Sequence, residues 1–287
     1  MRESINFETE LAKFTDKQLE LCKMWDSTDD SMLLYGGSYG GGASYLLRWF
    51  AVRFLMKDCK KKEQVTVMLA CHDYPTLKDT HLLYFKHHMP SWLGKFYSDH
   101  DRYGTCFVLS SQYGSGVIRL CSLTDPTKYG CSEFAGIFID NLEKISYETF
   151  ALLLCRLRYT GFKVNETLFL GAYKKRGGWI EKLWFDQTGR NSSLSGRGFN
   201  HVYADYRDNP HLDKAGREKT GYELLRCPQI NLSKNNWELR NECWHAVRHM
   251  TKIIELEKED GTETMASIFA ESHIAEFYPD LFKEIMA

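Results

Sequence analysis

The chain has 287 residues, 43% of them hydrophobic, with 37 basic and 38 acidic side chains and a net charge of −1. That length can bury a large α/β core and still carry an appendage, while the balanced charge excludes a global attraction to nucleic acid and leaves only local patches for such contact. Nine cysteines without a C-x-x-C pair predict reduced, buried thiols of an intracellular protein, and the lack of a charged-then-apolar leader or a long apolar run argues against secretion or membrane insertion.

Thr15-Asp16-Lys17-Gln18 has capping-box spacing, and Leu19, Leu21, Cys22 and Trp25 behind it predict a short helix over residues 15–26. Met32-Leu33-Leu34-Tyr35 then runs into Gly36-Gly37-Ser38-Tyr39-Gly40-Gly41-Gly42-Ala43-Ser44 and on into Tyr45-Leu46-Leu47-Arg48-Trp49-Phe50. This is the order strand, glycine loop, helix, and the helix reaches about Met56 before a basic stretch that suits a helix end. The continuous apolar run Val65–Ala70 predicts a buried parallel strand, followed by a helix over residues 76–90 that Pro90 stops. Thr105–Leu109 and Val117–Cys121 flank Gly114-Ser115-Gly116 and predict a hairpin inserted into the α/β pattern. Gly136-Ile137-Phe138-Ile139-Asp140 is an apolar strand ending on a carboxylate, Ser146 caps a helix running to Tyr159, and Thr167–Gly171 is another buried strand. A basic turn, Lys174-Lys175-Arg176, comes next, and the glycine-rich stretch 187–198 reads as a mobile loop. Beyond Trp237 the alternation stops. The expected organisation is a three-layer α/β domain over 1–237, with a mainly parallel sheet and the hairpin insertion, and a helical C-terminal tail over 238–287.

The glycine loop carries the first chemical signal. A phosphate-cradling P-loop needs glycines so that backbone N–H groups turn inward, a lysine to reach the β/γ oxygens and a Ser/Thr for magnesium. Counting from Gly37 puts Gly42 and Ser44 in place, but Ala43 stands where the lysine belongs. The acidic strand carries the second signal, because in P-loop enzymes such a strand ends in the Asp that orders the metal shell, followed by a Glu that activates water. Asp140 fills the first role; Asn141 occupies the second, and an amide cannot take that proton. Glu143, two residues on, is a candidate substitute base or simply a surface carboxylate opening the next turn. Cys243, His245 and His249 have a spacing zinc accepts, but without a nearby fourth ligand they read as structural.

Together these segments resemble the ATPase domain of the large subunit of tailed-phage terminases, over roughly residues 7–240. The resemblance rests on Phe14–Gln18, on Leu34-Tyr35-Gly36-Gly37 entering the loop, and on Asp73–Thr80 with its Tyr74-Pro75-Thr76-Leu77. It continues through Lys128–Phe134, Arg156-Leu157-Arg158, Trp179-Ile180 and Asp208-Asn209-Pro210-His211-Leu212. It implies a P-loop NTPase fold, with Gln18 reading adenine, Gly37, Gly40, Gly41, Gly42 and Ser44 around the nucleotide, and Ser44 with Asp140 on magnesium. Capping-box geometry alone also explains Gln18. The departures are Ala43 for the lysine, Asn141 for the catalytic glutamate, Cys71-His72 where an arginine often stands, and Ala172 at the polar coupling position. Each loss removes a phosphate clamp or base of the kind that typically supplies ~10²–10⁴-fold in rate.

The resulting expectation is a terminase-like protein of the viral DNA-packaging class with a degenerate site for ATP and Mg2+. Its role is binding or assembly with little or no hydrolysis, in the host cytoplasm if phage-encoded, with no membrane association. Double-stranded DNA, a portal or other terminase subunits, and further copies of the chain are the implied partners. Lys174, Lys175 and Arg176 are candidate phosphate or DNA contacts, or a solvated basic turn. Two other readings stay open: an active packaging motor with non-standard catalytic residues or an engineered inactive form of one, and a non-nucleotide interaction protein on a P-loop scaffold.

Overall fold

The computed structural model describes residues 7–211 except 39, 60–63, 176, 191–193, 195 and 196. Of the two units into which the chain divides, the first, Met1–Asn209, holds nearly all of these residues. The expected domain boundary at residue 237, the helical tail, and the Cys243, His245 and His249 group lie outside the described residues.

Apolar strands assemble the expected sheet. In chain order the main elements are α1 (Asp16–Ser27), β1 (Asp30–Gly37), α2 (Ala43–Arg53), β2 (Thr66–Cys71), α3 (Tyr74–Leu77), α4 (Leu83–His87), β3 (Gly94–His100), β4 (Gly104–Leu109), β5 (Val117–Ser122), β6 (Gly136–Ile139), α5 (Tyr147–Leu154), β7 (Leu168–Tyr173), α6 (Gly178–Ile180) and β8 (Gly198–Ala204). They build one 8-stranded sheet in the order β3-β4-β5-β2-β6-β7-β1-β8. From β5 to β8 every neighbouring pair is parallel, whereas β3, β4 and β5 pair antiparallel. Alternation along the strands serves both faces: Leu33 and Tyr35 of β1 pack with Leu46, Leu47 and Phe50 of α2, while Met32 and Leu34 pack with Phe150 of α5 and Trp184. A helix layer on each face of a sheet buried on both sides is the three-layer arrangement that runs of continuous apolar strand residues dictate.

The expected hairpin is present as β4 and β5, and because β5 also pairs with β2, β4 and the additional strand β3 extend the same sheet. Two expectations are corrected. The helix after Ser146 ends at Leu154 rather than Tyr159, since the carbonyl of Arg156 turns aside to accept the Phe134 amide at 2.9 Å. Arg156 and Arg158 therefore follow the helix instead of lying on it, and Arg158 pairs with Glu133 at the surface, 3.3 Å apart. The stretch read as a loop up to residue 198 gives way at Gly198 to β8, which pairs with β1.

Candidate functional site

The loop between β1 and α2 is held by its carbonyls. The Gly40 carbonyl accepts from Asn209 Nδ2 at 2.8 Å, that of Gly41 from the Tyr35 hydroxyl at 3.0 Å, and that of Gly42 from Gln18 Nε2 at 3.0 Å. With these carbonyls held by side chains of the protein body, the amide N–H groups from Gly40 to Ser44 have no acceptor among the described residues. Gly42 caps α2 in the left-handed region at φ 76°, a conformation that costs glycine nothing and that lets consecutive amides converge. A helix N-terminus adds its own positive end, so the cradle fits an anion. Ala43 opens the helix with no cationic reach. Gly37 has a separate cause: a Cβ there would run into the Tyr203 ring of β8.

Gln18 fills the capping-box role and also holds the glycine loop. Its Oε1 accepts from the Thr15 amide at 3.0 Å, closing the capping box, while its Nε2 holds the loop, and the side chain is buried.

Ser44 and Asp140 meet. β7 separates β1 from β6 in the sheet, yet the turns after these two strands converge, and Ser44 Oγ donates to Asp140 Oδ2 at 2.6 Å. Asp140 is 1% exposed. Its Oδ1 accepts from the Asn141 amide at 2.9 Å, and His81 Nε2 lies 3.1 Å from Oδ2. Burial raises the carboxyl, but the hydrogen bond and charge of His81, the hydrogen bond from Ser44 and the charge of Lys174 outweigh it and bring Asp140 down to about 2. Burial dominates at His81 and lowers its pKa, against the opposing pull of the Asp140 carboxylate. Among the described residues no lysine or arginine forms an ion pair with Asp140. Cys71, at the end of β2, completes the group: its sulfur, a His81 nitrogen and an Asp140 oxygen all lie within 4.8 Å of one another.

The remaining candidates are placed around this centre. Asn141 is buried in the left-handed region at φ 53°, and its Oδ1 has no hydrogen-bond partner. Glu143 is partly buried and accepts from the Lys174 amide at 3.3 Å, so it is tied to the backbone after β7 rather than lying free on the surface; burial raises its pKa. Ala172 is buried in β7 opposite Tyr35 of β1. Lys174 and Lys175 follow β7, close enough for the Lys174 charge to act on both Asp140 and Glu143, while Arg176 lies outside the described residues. His81 was not read from the sequence as a site residue. A signal existed, since Leu77, His81 and Phe85 are spaced four apart and all are buried, which puts the imidazole on the inward helix face.

No protein-family model and no characterised protein matches the chain by sequence. Structurally, it is similar to the large terminase from a thermophilic bacteriophage, with a TM-score of 0.56 and 15% identity over 73% of this chain and 50% of that one. The fold is similar to that of about half of this large terminase. The same terminase in complex with ATP-γ-S aligns at a TM-score of 0.56 and 15% identity over 73% and 49% of the two chains. In complex with ADP it aligns at 0.57 and 14% identity over 73% and 50%. The chain thus spans about half the length of the terminases it matches. Among the described residues no helix is long and apolar enough to cross a membrane.

Proposed function

We propose that the chain is a terminase-like protein of the viral DNA-packaging class that keeps a nucleotide cradle but hydrolyses ATP slowly or not at all, acting by binding or assembly with packaging partners and DNA. The observation that carries this reading is the meeting of Ser44 with Asp140 beside a glycine loop held by its carbonyls, while Ala43 and Asn141 stand at the two positions that chemistry requires. The amides from Gly40 to Ser44 would hold phosphates, and Ser44 with Asp140 would hold magnesium, an oxygen pair that suits a hard cation. Magnesium, when bound, neutralises phosphate charge. Lys174 and Lys175, which follow β7, would add positive charge beside the same site. Glu143, engaged with the Lys174 amide, is poorly placed to replace the missing base.

Nucleotide titration followed by phosphate release tests this reading. Weak ATP binding with turnover at background is expected. Turnover at motor rates supports a working ATPase and overturns it, and no binding at all supports the scaffold alternative. Restoring Ala43→Lys together with Asn141→Glu should tighten ATP binding by at least tenfold, about 1.4 kcal/mol. If it does not, the assignment of the loop fails.

A further inference from the structure

We propose that Cys71, His81 and Asp140 form a binding site for a borderline-soft divalent cation such as zinc, with Ser44 Oγ or a water as fourth ligand. Three different elements deliver these ligands to one buried point: the end of β2, the helical turn between α3 and α4, and the end of β6. Cys71 and His81 are 0% exposed and Asp140 1%, so this is an interior group and not a chance surface cluster. The His81 Nε2 to Asp140 Oδ2 separation of 3.1 Å is close to the roughly 3.3 Å between two ligands of a tetrahedral zinc ion with bonds near 2.0–2.1 Å. The sulfur stands within 4.8 Å of both, so rotamer adjustments of the order of an ångström close the shell.

The donor set decides the class of ion. Sulfur and imidazole are poor partners for magnesium, whereas thiolate, imidazole and carboxylate together suit zinc or cobalt. Three protein ligands with a fourth position for water or hydroxyl is the pattern of an open zinc site. The charges balance as well: the ion binds as Cys71 releases its thiol proton to solvent, and two positive charges meet one thiolate and one carboxylate. The His81 proton moves from Nε2 to Nδ1, which has no hydrogen-bond partner in the structure. This cation site shares Asp140 and Ser44 with the magnesium role above but needs no nucleotide.

Cobalt titration of the chelator-treated full chain tests it. One equivalent should develop the visible d–d bands of tetrahedral cobalt and a near-ultraviolet thiolate-to-metal band, both abolished by added zinc, with one proton released per ion. Cys71→Ser should remove the thiolate band, and His81→Gln should weaken binding at least tenfold, while Cys243→Ser, which lies in the other group of zinc-like spacing, should change neither. Absence of the bands in the folded native chain overturns the site whatever the variants do. So do bands that survive Cys71→Ser or vanish with Cys243→Ser. If Cys71→Ser fails to fold by circular dichroism, His81→Gln and the native spectrum decide. Metal bands without ATP binding sink the nucleotide reading alone, and ATP binding without bands sinks this one alone.

Discussion

The two ends of α2 hold buried ionic groups of opposite design. Arg53, its last residue, is 1% exposed and meets Glu8 at 2.9 Å and Asp26 at 2.7 Å, with Asp58 at 3.9 Å. Near the start of the same helix, the carboxylate of Asp140 is equally buried, and among the described residues its hydrogen-bond partners are a hydroxyl, a backbone amide and an imidazole. At Arg53 the protein supplies its own counter-charges, from Glu8, Asp26 and Asp58. The Asp140 end is held by hydrogen-bond donors, with no direct lysine or arginine ion pair among the described residues and only the more distant charge of Lys174 to help, an arrangement that favours the ionised form and leaves it available to a cation.

Substitutions at the two ends should separate them. The largest effect should come from Arg53→Ala, which deletes a buried side chain and strands three acids; a loss of about 3 kcal/mol or more is expected in urea unfolding. A loss below about 1 kcal/mol would show that this network is not structural. Asp140→Asn should cost less, about 2 kcal/mol without added metal, and should in addition abolish any metal- or nucleotide-dependent rise in Tm. If the two variants cost the same and neither alters that rise, the distinction between the ends collapses.

Acid titration gives a finer contrast. Burial raises Asp26, but its bonds to Arg53 and Lys57 prevail and hold its pKa below the ordinary 3.8. A depressed carboxyl stabilises the fold above its unfolded pKa, and that stability is lost as pH falls through the folded value. The difference between native chain and Asp26→Asn should therefore be constant above about pH 5 and shrink below 3.8, with a plateau under about 1 kcal/mol because Asp26 is 37% exposed. The smallest effect is expected at Glu143, whose pKa is raised by burial. Its ionised form is the less favoured one in the fold, so stability is lost as pH rises through the folded pKa, and Glu143→Gln should gain a few tenths of a kcal/mol at pH 7. An unfolding comparison at pH 7 and pH 4 checks the sign.

The parts legible in the sequence were those set by local chemistry or by burial on both faces. Met32–Tyr35, Val65–Ala70 and Gly136–Ile139 are uninterrupted apolar runs because helices cover both sides of them, and Thr15 to Gln18 announces a helix start through its own side chains. β3 and β8 were not legible, because they are the two edges of the sheet. Gly94-Lys95-Phe96-Tyr97-Ser98-Asp99-His100 is half exposed and too polar to read as a strand, and only pairing with β4 makes it one. At the site, Ser44 and Asp140 followed from motif order, but the groups that complete their surroundings did not. Cys71 read only as a departure, and His81 reaches Asp140 across 59 residues of chain, a meeting that no spacing rule encodes. The pins on the loop carbonyls are likewise products of the fold, with Asn209 reaching back 169 residues to Gly40.

One amide latches two elements at once. Because Gln18 clasps both the Thr15 N–H and the Gly42 carbonyl, the first turn of α1 cannot fray without slackening the glycine loop. The amide of Thr15, distant in sequence from any phosphate, should then exchange its hydrogen in step with loop opening and slow when an anion settles there. A quiet helix terminus thereby becomes a natural reporter on the occupancy of the loop.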